Sequence, residues 1–107
     1  MSDLFVRHAE ICKTFSNPKR LEIINSLRDN KELTASQLLD LIDISKANLS
    51  QHMAMLVQKG VVKSRREGIN VYYQLSDDRI TKACDIMREV LISKLTSEAK
   101  ALKQFTK

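Results

Sequence analysis

Apolar positions in the first fifteen residues recur along one side of a helix. Leu4, Phe5, His8, Ile11, Cys12 and Phe15 fall at i, i+1, i+4, i+7, i+8 and i+11. Ser16-Asn17-Pro18 then supplies a cap with proline at the first helical position, and a second helix is expected to about Asn30 with Leu21, Ile24 and Leu27 inward. Thr34 and Gln37 make the T-x-x-Q pattern of a capping box, which opens a short third helix to about Ile42. Asp43-Ile44-Ser45 is a tight connection, Ser45 caps a fourth helix, and Gly60 ends it. On a helical wheel Leu49, Met53, Leu56 and Val57 form the expected core side of this fourth helix. Ala47, Asn48, Gln51, Met55, Gln58 and Lys59 lie opposite, with His52 at the margin.

From Val61 the period shortens to two. Residues 61–75, VVKSRREGINVYYQL, alternate β-branched or aromatic side chains with charged ones on either side of Glu67-Gly68, which predicts a hairpin with Gly68 free to take a positive φ. Val62, Val71 and Tyr73 are candidates for its inner face. Ser76 is placed to cap a last helix from Asp77 to about Lys103, with a stripe of Ile80, Ala83, Cys84, Met87, Val90, Leu91, Leu95 and Leu102. No repeat or linker interrupts residues 1–107, so the chain reads as one domain, mainly α with a small β-hairpin, in the order α-α-α-α-β-β-α.

Length and composition bound the function. A chain of 107 residues, 43% hydrophobic, buries a modest core and gains by pairing with a copy of itself. No apolar run approaches the ~20 residues that span a bilayer. The opening MSDLFVRHAE lacks the basic and apolar regions of a secretory signal, so a cytoplasmic protein with two free thiols is expected. The net charge of +5 is concentrated rather than spread. Residues 1–44 hold six Lys/Arg against seven Asp/Glu, whereas residues 45–75 hold Lys46, Lys59, Lys63, Arg65 and Arg66 against Glu67 alone. Such a block is either a solvated face or a surface for a polyanion.

The polar side of the fourth helix favours the second. It is slim, rich in amides and free of carboxylates, as a helix entering the major groove of B-DNA must be. Asn48 and Gln51 can donate and accept together at an adenine edge, and Ala47 can meet a thymine methyl. Ser45, Lys46 and Ser50 are placed for phosphate oxygens, as is the helix N-terminus, and His52 for the phosphate edge or the core. Lys63, Arg65 and Arg66 enter the hairpin turn at Gly68 and Asn70 leaves it, a basic ribbon able to follow the backbone or reach a minor groove. A helix, a tight turn, a polar-faced helix and a basic hairpin, in that order, describe a winged helix-turn-helix. An enzyme is not expected: the chain has no glycine-rich phosphate loop, no acidic pair beside a nucleophile, and two histidines on different elements. The competing reading is a winged-helix module that joins a protein complex without reading DNA.

The segments FSNPKRLEIINSLRDN, LTASQLLDLIDISKANLSQHMAMLVQKGVV and SRREGINVYYQL resemble the ArsR/SmtB family of bacterial transcriptional repressors over residues 5–92 or so. The resemblance implies a homodimer built from the first and last helices, which binds a palindromic operator in double-stranded DNA and is released by an inducer. The metal-sensing members carry cysteines at the start of the third helix, where this chain has Thr34, Ala35 and Ser36. Their last-helix site pairs Asp-x-His with a later His-x-x-Glu; here the first pair reads Asp77-Asp78-Arg79 and the later positions fall near Val90 and Ser93. Neither metal site is expected, and no motif asks for a cofactor. Cys12 and Cys84 remain, each in the middle of a terminal-helix stripe, with His8 one turn before Cys12. Three roles stay open for the pair: packing, a thiol redox or sulfur-species switch, and an unlisted thiophilic metal site with His8. The inducer is not legible in the chain.

Overall fold

The computed structural model describes residues 2–105. Five helices and three strands follow one another as α1 (Ser2–Thr14), α2 (Pro18–Ser26), β1 (Leu33–Thr34), α3 (Ala35–Leu41), α4 (Lys46–Gln58), β2 (Val62–Glu67), β3 (Asn70–Leu75) and α5 (Arg79–Phe105). This is the expected winged helix-turn-helix, with one strand more than the hairpin alone.

Local side-chain chemistry sets the helix starts. Asn17 Oδ1 accepts from the backbone N–H groups of Lys19 and Arg20 at 2.9 and 3.1 Å, with Pro18 opening the helix. At α3 the capping box is complete: Thr34 Oγ1 accepts from the Gln37 N–H at 3.2 Å and Gln37 Oε1 accepts from the Thr34 N–H at 2.9 Å. Ser45 Oγ caps α4 by accepting from the Asn48 N–H at 3.1 Å.

Three boundaries differ from the sequence reading. α2 ends at Ser26, short of Asn30, because Asp29 and Asn30 take left-handed φ values of 64° and 60°. That turn delivers the chain into β1, where Leu33 pairs with Tyr73 and Thr34 with Tyr72, giving an antiparallel sheet in the order β1-β3-β2. Ser76 does not cap α5: its hydroxyl donates to the carbonyls of Gly60 and Val61, and Asp77 Oδ1 accepts from the Arg79 N–H instead. The hairpin turn is Gly68-Ile69, with Glu67 opposite Asn70 and Gly68 at φ +62°.

The core belongs to the middle of the chain. Ile23, Ile24, Leu27, Leu38, Ile42, Leu49, Met53, Leu56, Val61, Val62 and Leu75 form one buried cluster. Of the terminal helices, only the start of α5 packs against it, through the partly buried Ile80 and Cys84. α5, about 40 Å long at 1.5 Å per residue, leaves Met87, Val90, Leu91 and Leu95 more than half exposed. Arg28, two residues beyond α2, holds α5 by donating to both carboxylate oxygens of Asp85 at 2.8 and 3.2 Å, and Arg88 donates to the same carboxylate at 3.2 Å.

Candidate nucleic-acid interface

α4 presents the face expected of it. Leu49, Met53 and Leu56 are buried, while Lys46, Ala47, Asn48, Ser50 and Gln51 are exposed along the opposite side of the first two turns. Ala54, absent from the sequence reading, extends that slim face by another turn and was visible as the residue three after Gln51. No acidic side chain occupies the first turn, so its unpaired N–H groups and the positive end of the helix dipole meet an anion unopposed. Two positions depart from the wheel: Val57 is exposed rather than in the core, and Met55 is half-buried rather than outward.

His52, expected at the phosphate edge or in the core, is bonded to α2. Its Nδ1 accepts the Arg20 Nε–H at 3.2 Å, so α2 and α4 are joined through a half-buried imidazole. Burial, and then the neighbouring guanidinium, lower its pKa and keep the ring neutral. The same Arg20 donates from Nη1 to the Thr14 carbonyl at 3.5 Å, which brings the end of α1 onto the same contact.

The wing follows α4 through a turn in which Gly60 and Val61 donate to the carbonyls of Val57 and Leu56 at 3.0 Å. Cross-strand register places Lys63 opposite Gln74, Arg65 opposite Tyr72 and Arg66 opposite Val71. Lys63, Arg66, Gly68 and Asn70 are exposed, as a phosphate-facing ribbon requires. Arg65 does not stand free. Its Nε and Nη2 donate to the Glu32 carboxylate at 2.7 and 3.0 Å, and its Nη1 donates to Glu67 at 2.7 Å. Its guanidinium carbon lies 4.5 Å above the Tyr72 ring. Glu32 and Glu67 raise the Arg65 pKa, and the guanidinium in turn holds the Glu32 carboxyl below its ordinary range. The Glu32 partner lies 33 residues away in sequence, so no local pattern could have announced it.

A groove of about 950 Å³ runs between α1 and α5, lined by His8, Ile11, Cys12, Phe15, Cys84 and Met87 among others. Both cysteines are free and face the same groove; Cys12 is exposed, and burial pushes the half-buried Cys84 thiol up. Among the described residues no three His, Cys, Asp or Glu side chains stand together as a metal set, so His8 and Cys12 find no third ligand within the protomer. Nor, among those residues, is any helix long and apolar enough to cross a membrane.

A capped, carboxylate-free helix exposed beside a basic wing defines a winged helix-turn-helix regulator that binds DNA. Known proteins place it within one group of these. Residues 17–64 match the family described as bacterial regulatory protein, arsR family. The chain is 32% identical over 72 residues to the transcriptional repressor PagR of Bacillus anthracis, covering 67% of this chain and 72% of that one. It is 32% identical over 80 residues to the transcriptional activator HlyU of Vibrio cholerae, covering 75% and 73%. The crystal structure of Rv0081 from Mycobacterium tuberculosis superposes with a TM-score of 0.78 at 30% identity, over 90% of this chain and 96% of that one. The protein belongs to the ArsR family of bacterial transcriptional regulators, and it is a regulator rather than an enzyme.

Proposed function

We propose that the protein is a homodimeric repressor that seats two copies of α4 in successive major grooves of a palindromic operator and leaves it on an inducing signal. The observation that carries this reading is the exposed face of α4, with Ala47, Asn48, Ser50 and Gln51 aligned and no carboxylate among them. Asn48 and Gln51 read base edges, while Ser45, Lys46 and Ser50 fix register on phosphates. The Ser45 oxygen accepts from the backbone, which leaves its O–H to donate outward. Lys63, Arg66 and Asn70 follow the backbone beside Gly68. His52 sets the tilt of the helix from behind, and Arg65 acts on DNA through the shape of the wing. The half-exposed stripes of α1 and α5 are the surface for the second copy, which brings the two recognition helices about 34–36 Å apart.

Cys12 and Cys84 are the candidate inducer site, because they share one groove on the two helices that make the dimer. Burial disfavours the Cys84 thiolate, which leaves Cys12 as the attacking thiol of the pair. With peroxide as oxidant, Cys12 is oxidised to a sulfenic acid as water leaves. A second thiol then displaces a further water to close a disulfide.

Fluorescence anisotropy with a duplex recovered by in vitro selection tests both parts. Tight, selective binding by the reduced protein that is lost on mild oxidation and restored by thiol reductant supports the switch. Selective binding indifferent to oxidant returns both cysteines to packing. A selection that recovers no preferred duplex, with reduced or oxidised protein, removes the repressor reading in favour of a protein-interaction module.

A further inference from the structure

α2 is tied at both ends to the walls of the α1–α5 groove, and near its start to the recognition helix. Just past its far end, Arg28 donates from Nη1 and Nη2 to the two oxygens of the Asp85 carboxylate on α5. The same guanidinium is anchored on α2 itself, with Nε and Nη2 donating to Asn25 Oδ1 at 2.9 and 2.7 Å. Among the described residues, no other side-chain hydrogen bond or ion pair joins the first four turns of α5 to residues 2–76. At the near end Arg20 donates to the carbonyl of Thr14, the last residue of α1, and to Nδ1 of His52 on α4.

This geometry suits transmission better than stability. The Arg28 and Asp85 side chains are 34% and 38% exposed, and a pair so placed adds little to the fold. A two-pronged guanidinium–carboxylate contact does fix distance and angle together. Between the two arginines Ile23, Ile24 and Leu27 are fully buried, so α2 moves as one piece with its packing. The link from the clasp to the groove is short. Cys84 precedes Asp85, and Arg88, which shares the Asp85 carboxylate, lines the groove with Cys84. On the other wall the groove is lined by Ile11, Cys12 and Phe15, the last of them next to Thr14. A change in groove width acts on Arg28 from one wall and on Arg20 from the other. Lys59, Gly60 and Val61 also border the groove, at the opposite end of α4 from Asn48 and Gln51.

We infer that α2 is a strut through which the state of the α1–α5 groove sets the seating of the recognition helix, with Arg28 and Arg20 as its positioning residues. Filling the groove or modifying Cys84 shifts Asp85, Arg28 carries the shift into α2, and Arg20 passes it to His52. Such coupling is reciprocal, so a duplex held by α4 favours one groove width over another. The consequence for operator affinity rests on the DNA-binding reading above, whereas the link from Asp85 to His52 does not.

The test reads His52 directly, in the full chain carrying Cys12→Ser. Cys84 is labelled with methyl methanethiosulfonate: its thiolate attacks the reagent's methylthio sulfur, methanesulfinate leaves, and a methyl disulfide remains. Proton–carbon NMR at pH 8 without DNA then follows the His52 ring, His8 being the one other histidine in the sequence. Labelling is expected to move the His52 ring resonances while the clasp is intact. Asp85→Asn and Arg28→Gln cut the clasp from either side, and in both the resonances are expected to stay in place, with an unchanged helical circular dichroism spectrum. On a selected duplex, labelling should weaken binding about tenfold with the clasp intact and far less with it cut. A His52 response that is the same with the clasp cut, or missing with it intact, overturns the strut. A clasp-dependent His52 response in a protein that selects no duplex removes the DNA reading and leaves the strut standing.

Discussion

Arg20 donates its Nε–H to Nδ1 of His52 across 3.2 Å, and this contact ties the helix that would read DNA to the helix before it. With Nδ1 accepting, the imidazole proton sits on Nε2. Protonation converts Nδ1 to a donor that faces a guanidinium, so the contact exists only with the neutral ring.

Stability is therefore expected to fall on mild acidification. The folded-state pKa of His52 is depressed by burial and by Arg20. Above the ordinary value, about 6.5, both folded and unfolded chains hold a neutral ring. As pH falls below it, the unfolded chain takes up a proton that the folded chain refuses, and stability is lost until the folded pKa is passed. Urea midpoints at pH 7 and pH 5 should differ in this direction, and His52→Gln should shrink the difference. An undiminished difference in the variant would assign the effect elsewhere.

Glu32→Gln should steepen the salt dependence of DNA binding. Arg65 spends its donors on Glu32 and Glu67 and has little charge left for phosphate. Removing the Glu32 carboxylate returns a cation to each wing, and each new phosphate contact adds about 0.9 to the slope of log K against log salt. Two wings in a dimer add up to about 2. Arg65→Ala, by contrast, should leave the slope nearly unchanged while weakening binding through a looser wing. A shallower slope in Arg65→Ala would mean that phosphate displaces the two carboxylates in the complex.

These contrasts also mark what was legible in the chain. The caps at Asn17, Thr34 and Ser45 could be read because a side chain and the backbone it serves lie within three residues of each other. The buried side of α4 followed from helical geometry at Leu49, Met53 and Leu56. Val57 failed the same test because a wheel gives direction and not what stands opposite. β1 has two residues, too short for alternation, and exists only through pairing with Tyr72 and Tyr73 some forty positions later. The Arg65–Glu32 clasp is non-local in the same way, so Arg65 reads as free in sequence and is paired in space. The end of α2 was missed because Asp29 and Asn30 fit a helical pattern in composition yet take the left-handed conformation readily.

Leu91→Glu should give a folded monomer. Leu91 lines the α1–α5 groove at 53% exposure and takes no part in the buried core, so the protomer does not need it. In a dimer built on that groove the new carboxylate would be taken out of water into an apolar contact, at a cost of several kcal/mol that a neighbouring lysine or arginine would offset only in part. Light scattering should report half the wild-type mass with an unchanged helical circular dichroism spectrum, and operator affinity should drop with it. A variant that keeps the wild-type mass would place the dimer surface somewhere other than this groove.

Gln51→Ala separates reading from mere adhesion. Gln51 is exposed in the second turn of α4, on the same side as Asn48 and Ser50, and makes no contact that holds the fold. Its amide can donate and accept at once, which suits a bidentate pairing with an adenine edge. Losing such a bidentate pair costs roughly 1–3 kcal/mol at the cognate duplex. A scrambled duplex does not hold an adenine in register at both half-sites, so affinity there should change little, and the salt slope should be the same for both proteins because no phosphate contact is removed. Side-by-side titrations on the selected and a scrambled duplex measure the difference directly. Equal losses on the two would take Gln51 out of base recognition and shift the burden of specificity to Asn48 and the wing.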